Sequence, residues 1–411
     1  MKIRVFLRVI VCGLLLVAIT LAGEVRADTP RTVKIGVLAT LTGSGFSLGR
    51  NTVAALQIAA ADIESVHPQY NPVQFRFLVR DTQHDPTRAL NAIRDLHERG
   101  VKIIIGPQTS SEVAMIKPFA DAHDILVISQ GSTASSLAIA GDNILRFCPN
   151  DRREAEALVA LLHHDGIRAI VPLWRNDAGN NGLHNSVKIR FQALGGRVTP
   201  GFRYEPTTTD FDAATASVAS QVENLVTGGL SPSTVGVYIA AFDEVVQIFH
   251  SASDESQQMH FRVRAYGSDG VALSAALTAD ATASAFAASV GYPNPIFGLP
   301  DALRNRWQPI ADEIEARTGI TPDAFALSAY DALFVVNLAL QQPQPLKNFD
   351  RFKAAFIEEA DHYQGVTGST ALDAAGDRET GDFDFWAVRL RNGSYKWVRV
   401  AAYSNGILRV F

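Results

Sequence analysis

The chain has 411 residues, is 47% hydrophobic and 19% charged, and carries a formal charge of −5, so it has the apolar material for one large or two moderate cores. An acidic balance without blocks of lysine or arginine argues against nucleic acid and anionic membrane surfaces as partners. With only Cys12 and Cys148, a disulfide-stapled small fold is excluded.

Lys2, Arg4 and Arg8 precede a nearly unbroken apolar run over residues 9–22, and Val25, Arg26 and Ala27 form a small-residue cleavage site. This is the layout of a secretory signal peptide, and the run is shorter than the roughly 20 apolar residues of a spanning helix. Cleavage after Ala27 is expected. The leader carries Lys2, Arg4, Arg8 and Arg26 against Glu24, so its loss takes the net charge from −5 to −8 and leaves Cys148 alone.

Short apolar strands then alternate with amphipathic helices. Residues 32–38, 74–79, 101–105 and 125–128 are predicted strands, separated by helices over 51–63, 85–98 and the stretch after Ser111. Asp85 and Pro86 start one helix cleanly, and Gly100 closes it. A second array follows residues 143–149. Its strands lie at 167–173, 196–202, 234–239 and 261–266, and its helices at 176–194, 212–225 and 242–252. Such alternation means parallel sheets covered on both faces. Three helices without strands between them follow, at 299–317, 325–340 and 348–359. Residues 382–390 and 395–400 around Asn392 and Gly393 then read as a hairpin. The three helices fit a chain that returns to the first sheet and crosses again to end on the second.

Ligands bind open parallel sheets at the C-terminal ends of the strands, where helices present free N–H groups. Ser110 and Ser111 sit there after the third strand, Gly131 and Thr133 after the fourth, and Asp269 in the turn Ser268, Asp269, Gly270. A hydroxyl beside a helix start suits a carboxylate, and Asp269 suits a cation. Each residue also has a plainer reading, as a cap for Ser110 and Thr133 and as a turn residue for Asp269. Asp177 and Arg50 are similarly ambiguous. Catalytic readings are thin: the glycines at 43, 45 and 49 miss the dinucleotide spacing, His163 and His164 lack partners at metal-ligand spacing, and no nucleophile elbow occurs. Asp373, Asp377, Glu379, Asp382 and Asp384 fit no calcium loop and read as a solvated turn. No enzyme activity, cofactor or metal is expected.

The ordered series 34–43, 80–86, 105–111, 125–133, 266–270 and 325–332 resembles the type I periplasmic binding proteins of ABC importers, in the branch of the leucine/isoleucine/valine receptor. The resemblance implies an α/β, two-lobed type I fold, each lobe a parallel-type sheet flanked by helices, with three crossovers at the hinge. It implies lobe one at 28–148 plus 290–361 and lobe two at 149–289 plus 362–411. It also implies a periplasmic monomer that captures an amino acid or close analogue and delivers it to an inner-membrane ABC permease. Ser110 and Thr133 match the family's carboxylate-holding serine and threonine, Gly131 a backbone contact, and Asp269 the acid that meets the α-ammonium. Aromatic pocket positions of the family appear as Leu48, Ala178 and Phe242, which implies an enlarged or reshaped side-chain half, with Trp174 and Tyr292 as replacement surface. Receptors for amides, urea or aromatic acids, and ligand-sensing modules of membrane receptor systems, are the alternatives.

Overall fold

The computed structural model describes residues 31–66, 73–253, 263–342 and 344–411. The expected leader lies outside the described residues, as do the first two residues of the strand predicted at 261–266. Among the described residues no helix is long and apolar enough to cross a membrane.

Lobe one is built on five parallel strands, β1 (Arg31–Ala39), β2 (Val73–Asp81), β3 (Ile103–Ile105), β4 (Leu126–Ser129) and β5 (Ile144–Arg146), in the order β2-β1-β3-β4-β5. Successive side chains of a strand face opposite ways. Ile103, Ile105, Leu126 and Ile128 accordingly point to one core, and Ile104 and Val127 to the other. Helices α1 (Phe46–Val66), α2 (Pro86–Glu98) and α3 (Ser110–Ala122) cross between strands. Ile93 and Leu96 of α2 and Val113 and Ile116 of α3 cover the second face.

Lobe two contains β6 (Ala169–Arg175), β7 (Arg197–Val198), β8 (Phe202–Tyr204), β9 (Val235–Ala240) and β10 (Arg264–Tyr266), joined through α4 (Asp151–His164), α5 (Ala178–Ala193), α6 (Asp212–Thr227) and α7 (Val245–Ala252). The order is β10-β9-β6-β7, and β8 also pairs with β6. The single strand expected at 196–202 is thus two short ones, separated where Gly201 turns with φ of 67°. Helices α8 (Ala275–Ala279) and α9 (Ala281–Val290) complete the array.

After β11 (Asn294–Phe297) come α10 (Arg304–Thr318), α11 (Ala324–Ala339) and α12 (Phe349–His362). Trp307, Leu333 and Phe356 from these helices pack with Ala55 of α1 on the first face of lobe one, as the returning tail requires. A two-residue ribbon, β12 (Gln364–Gly365) with β13 (Gly368–Ser369), precedes the long strands β14 (Phe383–Arg391) and β15 (Ser394–Ser404) and the edge strand β16 (Ile407–Val410). These form an antiparallel sheet, β11-β14-β15-β16. Asn392 and Gly393 take the positive φ values, 50° and 79°, that a tight hairpin turn needs. Asn405 and Gly406 repeat the device at 50° and 79° and add the strand β16 that the sequence reading did not include.

The lobes are joined by three passages that lie side by side. A side chain at Gly381 would stand 2.8 Å from Pro149 and 3.1 Å from Phe297, so only glycine lets the three segments touch there. The Gly298 N–H donates to the Asp382 carbonyl at 2.8 Å, tying the second passage to the third. Because β11 pairs with β14, the second passage follows Phe297, later than the expected 290. Leu372 packs in lobe one and Asp377 bridges to Arg146, so the third follows Asp377, later than 361. The short strand β11, preceded by Pro293 and containing Pro295, gave no periodic signal in the sequence. In the acidic stretch Asp373 and Glu379 are exposed, as a solvated turn requires, but Asp377 and Asp384 are buried. Arg146 and Asp377, each with a side chain 1% exposed, form a two-pronged ion pair at 2.5 Å, and Asp384 is bound by Arg399 at 2.6 Å. Buried Cys148 packs at this junction with Phe297 and Phe325, and burial pushes its thiol pKa up, which makes it unreactive.

Candidate ligand-binding site

A cavity of about 40 Å³ lies between the lobes, where the strand ends face each other. Leu48, Ser110, Ser111, Gly131 and Thr133 line it from lobe one, and Phe242, Asp269 and Gly270 from lobe two. Asp177, Asn180 and Leu183 of the α5 region and Phe325 of α11 close the rest. Ala178 and Trp174 are not among the lining residues. Ala178 sits between Asp177 and Gly179, which are. Trp174 instead stacks on His184 at 4.0 Å and donates its indole N–H to Asn181 at 3.0 Å. Tyr292 is fully buried against Phe249 in the lobe-two core. Phe242, Phe325 and Leu183 supply apolar surface to the cavity.

The lobe-one wall is made of donors. Thr109 caps no N–H of α3, since its hydroxyl turns to Glu112, so the first N–H groups of the helix stay open beside the cavity. The Ser110 oxygen receives hydrogen bonds from the Ser132 hydroxyl at 3.0 Å and from the Ala134 N–H at 3.1 Å. Both of its lone pairs are then occupied, and its own hydrogen is left to donate. Arg146 fixes the loop that supplies these bonds by donating to the carbonyls of Ser132 at 3.0 Å and Ala134 at 2.6 Å. Gly131 is demanded by Gln108, whose side chain would stand 2.5 Å from any added Cβ.

The lobe-two side carries acids: Asp177 and Asp269 line the cavity, and Asp151 and Glu154 are buried beside Asp269 without lining it. Asp269 lies in the turn after β10, its N–H bonded to Glu154 at 3.1 Å. Burial raises the Asp269 carboxyl pKa, and the nearby charge of Asp151 raises it further. Asp151 and Glu154, in the first turn of α4, are 0% and 1% exposed. Burial pushes Asp151 up to about 7 against the pull of Thr133 and Arg146. Glu154 is raised well above the ordinary range by burial and by the charges of Asp269 and Asp151. The Thr133 hydroxyl lies beside both Asp151 and Asp269 and favours their charged forms. Asp177 caps α5 through the Asn180 N–H at 2.9 Å and pairs with Arg175 at 2.9 Å.

Asp151, Glu154 and Asn180 were not identified from sequence. Two acids in a helix's first turn read as surface residues favoured by the helix dipole. The signal that finds them is register: residues 151, 154, 155, 158 and 162 share the buried face of α4. Around the cavity the lobes touch directly, through the Gly45 N–H to Asp243 at 2.7 Å and the His84 ring edge-on to Phe242 at 4.3 Å. Among the described residues no cluster of histidine, cysteine or acid side chains has metal-binding form.

Comparison with known proteins places this geometry. An uncharacterised protein of Methanocaldococcus jannaschii is 24% identical over 375 residues, 87% of each chain. The branched-chain amino-acid substrate-binding protein LivJ of Streptococcus pneumoniae, solved with isoleucine, superposes with a TM-score of 0.71 at 18% identity, over 90% of this chain and 100% of that one. A solute-binding protein of R. palustris solved with benzoate gives 0.70 at 18% identity, over 90% and 96%. The family described as periplasmic binding protein matches residues 32–394, so the chain belongs to that family, in its two-lobed type I form.

Proposed function

We propose that the protein is exported with its leader cleaved after Ala27, captures an amino acid or close analogue between its lobes, and delivers it unchanged to an ABC permease. The observation that carries this reading is the opposition across one small cavity: hydrogen-bond donors on lobe one, buried carboxylates on lobe two. A zwitterion with carboxylate and ammonium on one carbon answers both walls at once. Its carboxylate takes the Ser110 hydroxyl, the open N–H groups of α3 and Thr133 as charge-assisted partners. Its ammonium lies toward Asp269. The volume of about 40 Å³ favours a compact side chain against Leu48, Leu183 and Phe325. Gly131 leaves bare backbone on the lobe-one side, and Phe242 lines the opposite wall.

Isothermal calorimetry with glycine, alanine, leucine, acetamide, urea and benzoate tests this reading. Small amino acids are expected to bind most tightly. Benzoate binding more tightly than every amino acid would overturn it, because a carboxylate alone leaves the acids uncompensated.

A further inference from the structure

A second cavity, of about 390 Å³, opens on lobe two beside β10, the end of α9 and the antiparallel strands. Helix α4 separates it from the cleft. Asp151 at the start of α4 stands behind the ligand site, while Leu161 and Asp165 face this groove. A helix of that length spans about 20 Å, so the two sites are distinct.

The groove has an apolar floor, formed by Val290, Pro293, Val398 and Val400, under Arg264, Arg389 and Arg391. Its acid, Asp165, is already engaged by Arg264 at 2.5 Å, the Tyr266 hydroxyl at 2.8 Å and His164 at 3.2 Å. Arg399 also borders the cavity but is held by Asp384 at 2.6 Å and Asp301 at 2.9 Å. Arg389 is different. It is half-buried and donates from one nitrogen to the carbonyls of Val388 at 2.9 Å and Gly291 at 3.3 Å, with no ion pair among the described residues. Burial, and then the charges of Arg264 and Arg391, lower its pKa below the ordinary arginine value. The antiparallel register also sets Arg389 opposite Lys396. Like charges placed opposite each other destabilise a sheet. An anion in the groove removes that repulsion, and the floor beneath it suits an apolar tail.

We propose that this groove binds a small amphiphilic carboxylate, its head between Arg389 and Arg391 and its chain on Val290, Val398 and Val400. The volume lies in the range of small-molecule sites. The proposal is independent of what the cleft captures.

The test titrates octanoate, octanol and octylamine into the mature protein, followed by calorimetry and methyl NMR. Octanoate is expected to shift the methyls of Val290, Val398 and Val400 and to leave Leu48 and Leu183 in place. Octanol should bind about tenfold more weakly or worse, the scale of a hydrogen bond to a charged group, and octylamine should not bind. Arg391→Ala, at an exposed position, should cost octanoate about tenfold with unchanged melting temperature and cleft affinity. Arg389→Ala should do likewise, and Arg389→Lys should recover part of the loss. Equal binding of octanoate and octanol, indifference to Arg391→Ala, shifts confined to Leu48 and Leu183, or no octanoate binding would each overturn the proposal.

Discussion

The two walls of the cleft are built on opposite electrostatic plans. Lobe one offers neutral donors whose positions are already fixed. Ser110 is oriented by Ser132 and Ala134, and Arg146 holds their loop against Asp377. Lobe two offers Asp269, Asp151 and Glu154, whose carboxyl pKa values are raised first by burial and then by the charges of neighbouring acids. One wall is complete without a ligand, whereas the other reaches its best electrostatic state only beside a cation. On the proposed function, this difference orders the binding events. The ligand's carboxylate lands first on the rigid wall, and its ammonium then makes closure over the acids favourable.

The largest expected effect breaks the rigidity of lobe one. Asp377→Ala leaves the Arg146 guanidinium buried and unpaired, which should cost about 3–5 kcal/mol of stability in urea unfolding. The double variant Arg146→Met with Asp377→Leu should recover most of it. If Asp377→Ala is neutral, Arg146 is not what fixes the Ser132–Ala134 loop. Substitutions in the walls themselves should discriminate ligands. Ser110→Ala removes a donor to the carboxylate and should weaken amino acids and carboxylate-only ligands alike, by about 2 kcal/mol. Asp269→Asn should weaken amino acids by about 2 kcal/mol or more but strengthen a carboxylate-only ligand. Calorimetry with glycine and acetate reads both. Equal losses for both ligands in Asp269→Asn would erase the contrast between the walls.

The acids also predict opposite pH trends for the free protein and for binding. Asp151 titrates near 7 when folded, against 3.8 as its ordinary value. Its contribution to stability is therefore full below 3.8 and is lost as pH rises through about 7, so the melting temperature of the free protein should fall across that window. An ammonium ligand prefers the ionised acids and should release protons on binding. Its affinity should rise from pH 5 to 8 by roughly tenfold, a shift of about one pKa unit in free-energy terms. Asp151→Asn should weaken both trends, leaving the part carried by Asp269 and Glu154. Proton release is measured by calorimetry in buffers of different ionisation enthalpy, and an affinity that falls with pH would contradict the reading.

Most of the fold was legible because its signals are periodic. The short apolar runs of β3 and β4 between helical stretches, the cap at Asp85 and the turn at Asn392 each state a local geometry. The strands at 294–297 and 407–410 were not legible, the first lying among prolines and the second short, exposed and set by a further hairpin. In the cleft, Ser110, Ser111, Gly131, Thr133 and Asp269, the residues expected from strand-end reasoning and family resemblance, line one cavity. Asp151 and Glu154 escaped because an acid in a helix's first turn is ordinary on the surface, and only packing shows that this turn is buried. Asp377 escaped for a related reason. Its partner lies 231 positions away in sequence, at a distance no local pattern reports.

The smallest effect separates closure from recognition. Asp243 is held by the Ser274 hydroxyl at 2.6 Å and accepts the Gly45 N–H across the gap at 2.7 Å. Neither atom touches the cavity, so the bond favours the closed arrangement without distinguishing what lies inside. Asp243→Ala should therefore weaken every ligand by the same amount, about 0.5–1.5 kcal/mol for one hydrogen bond. Asp269→Asn, by contrast, should reverse sign between glycine and acetate. Small-angle scattering should show the free Asp243→Ala variant more extended than the parent protein. A loss confined to amino acids would mean instead that Asp243 acts through the charge of the cleft, as the acids of lobe two do.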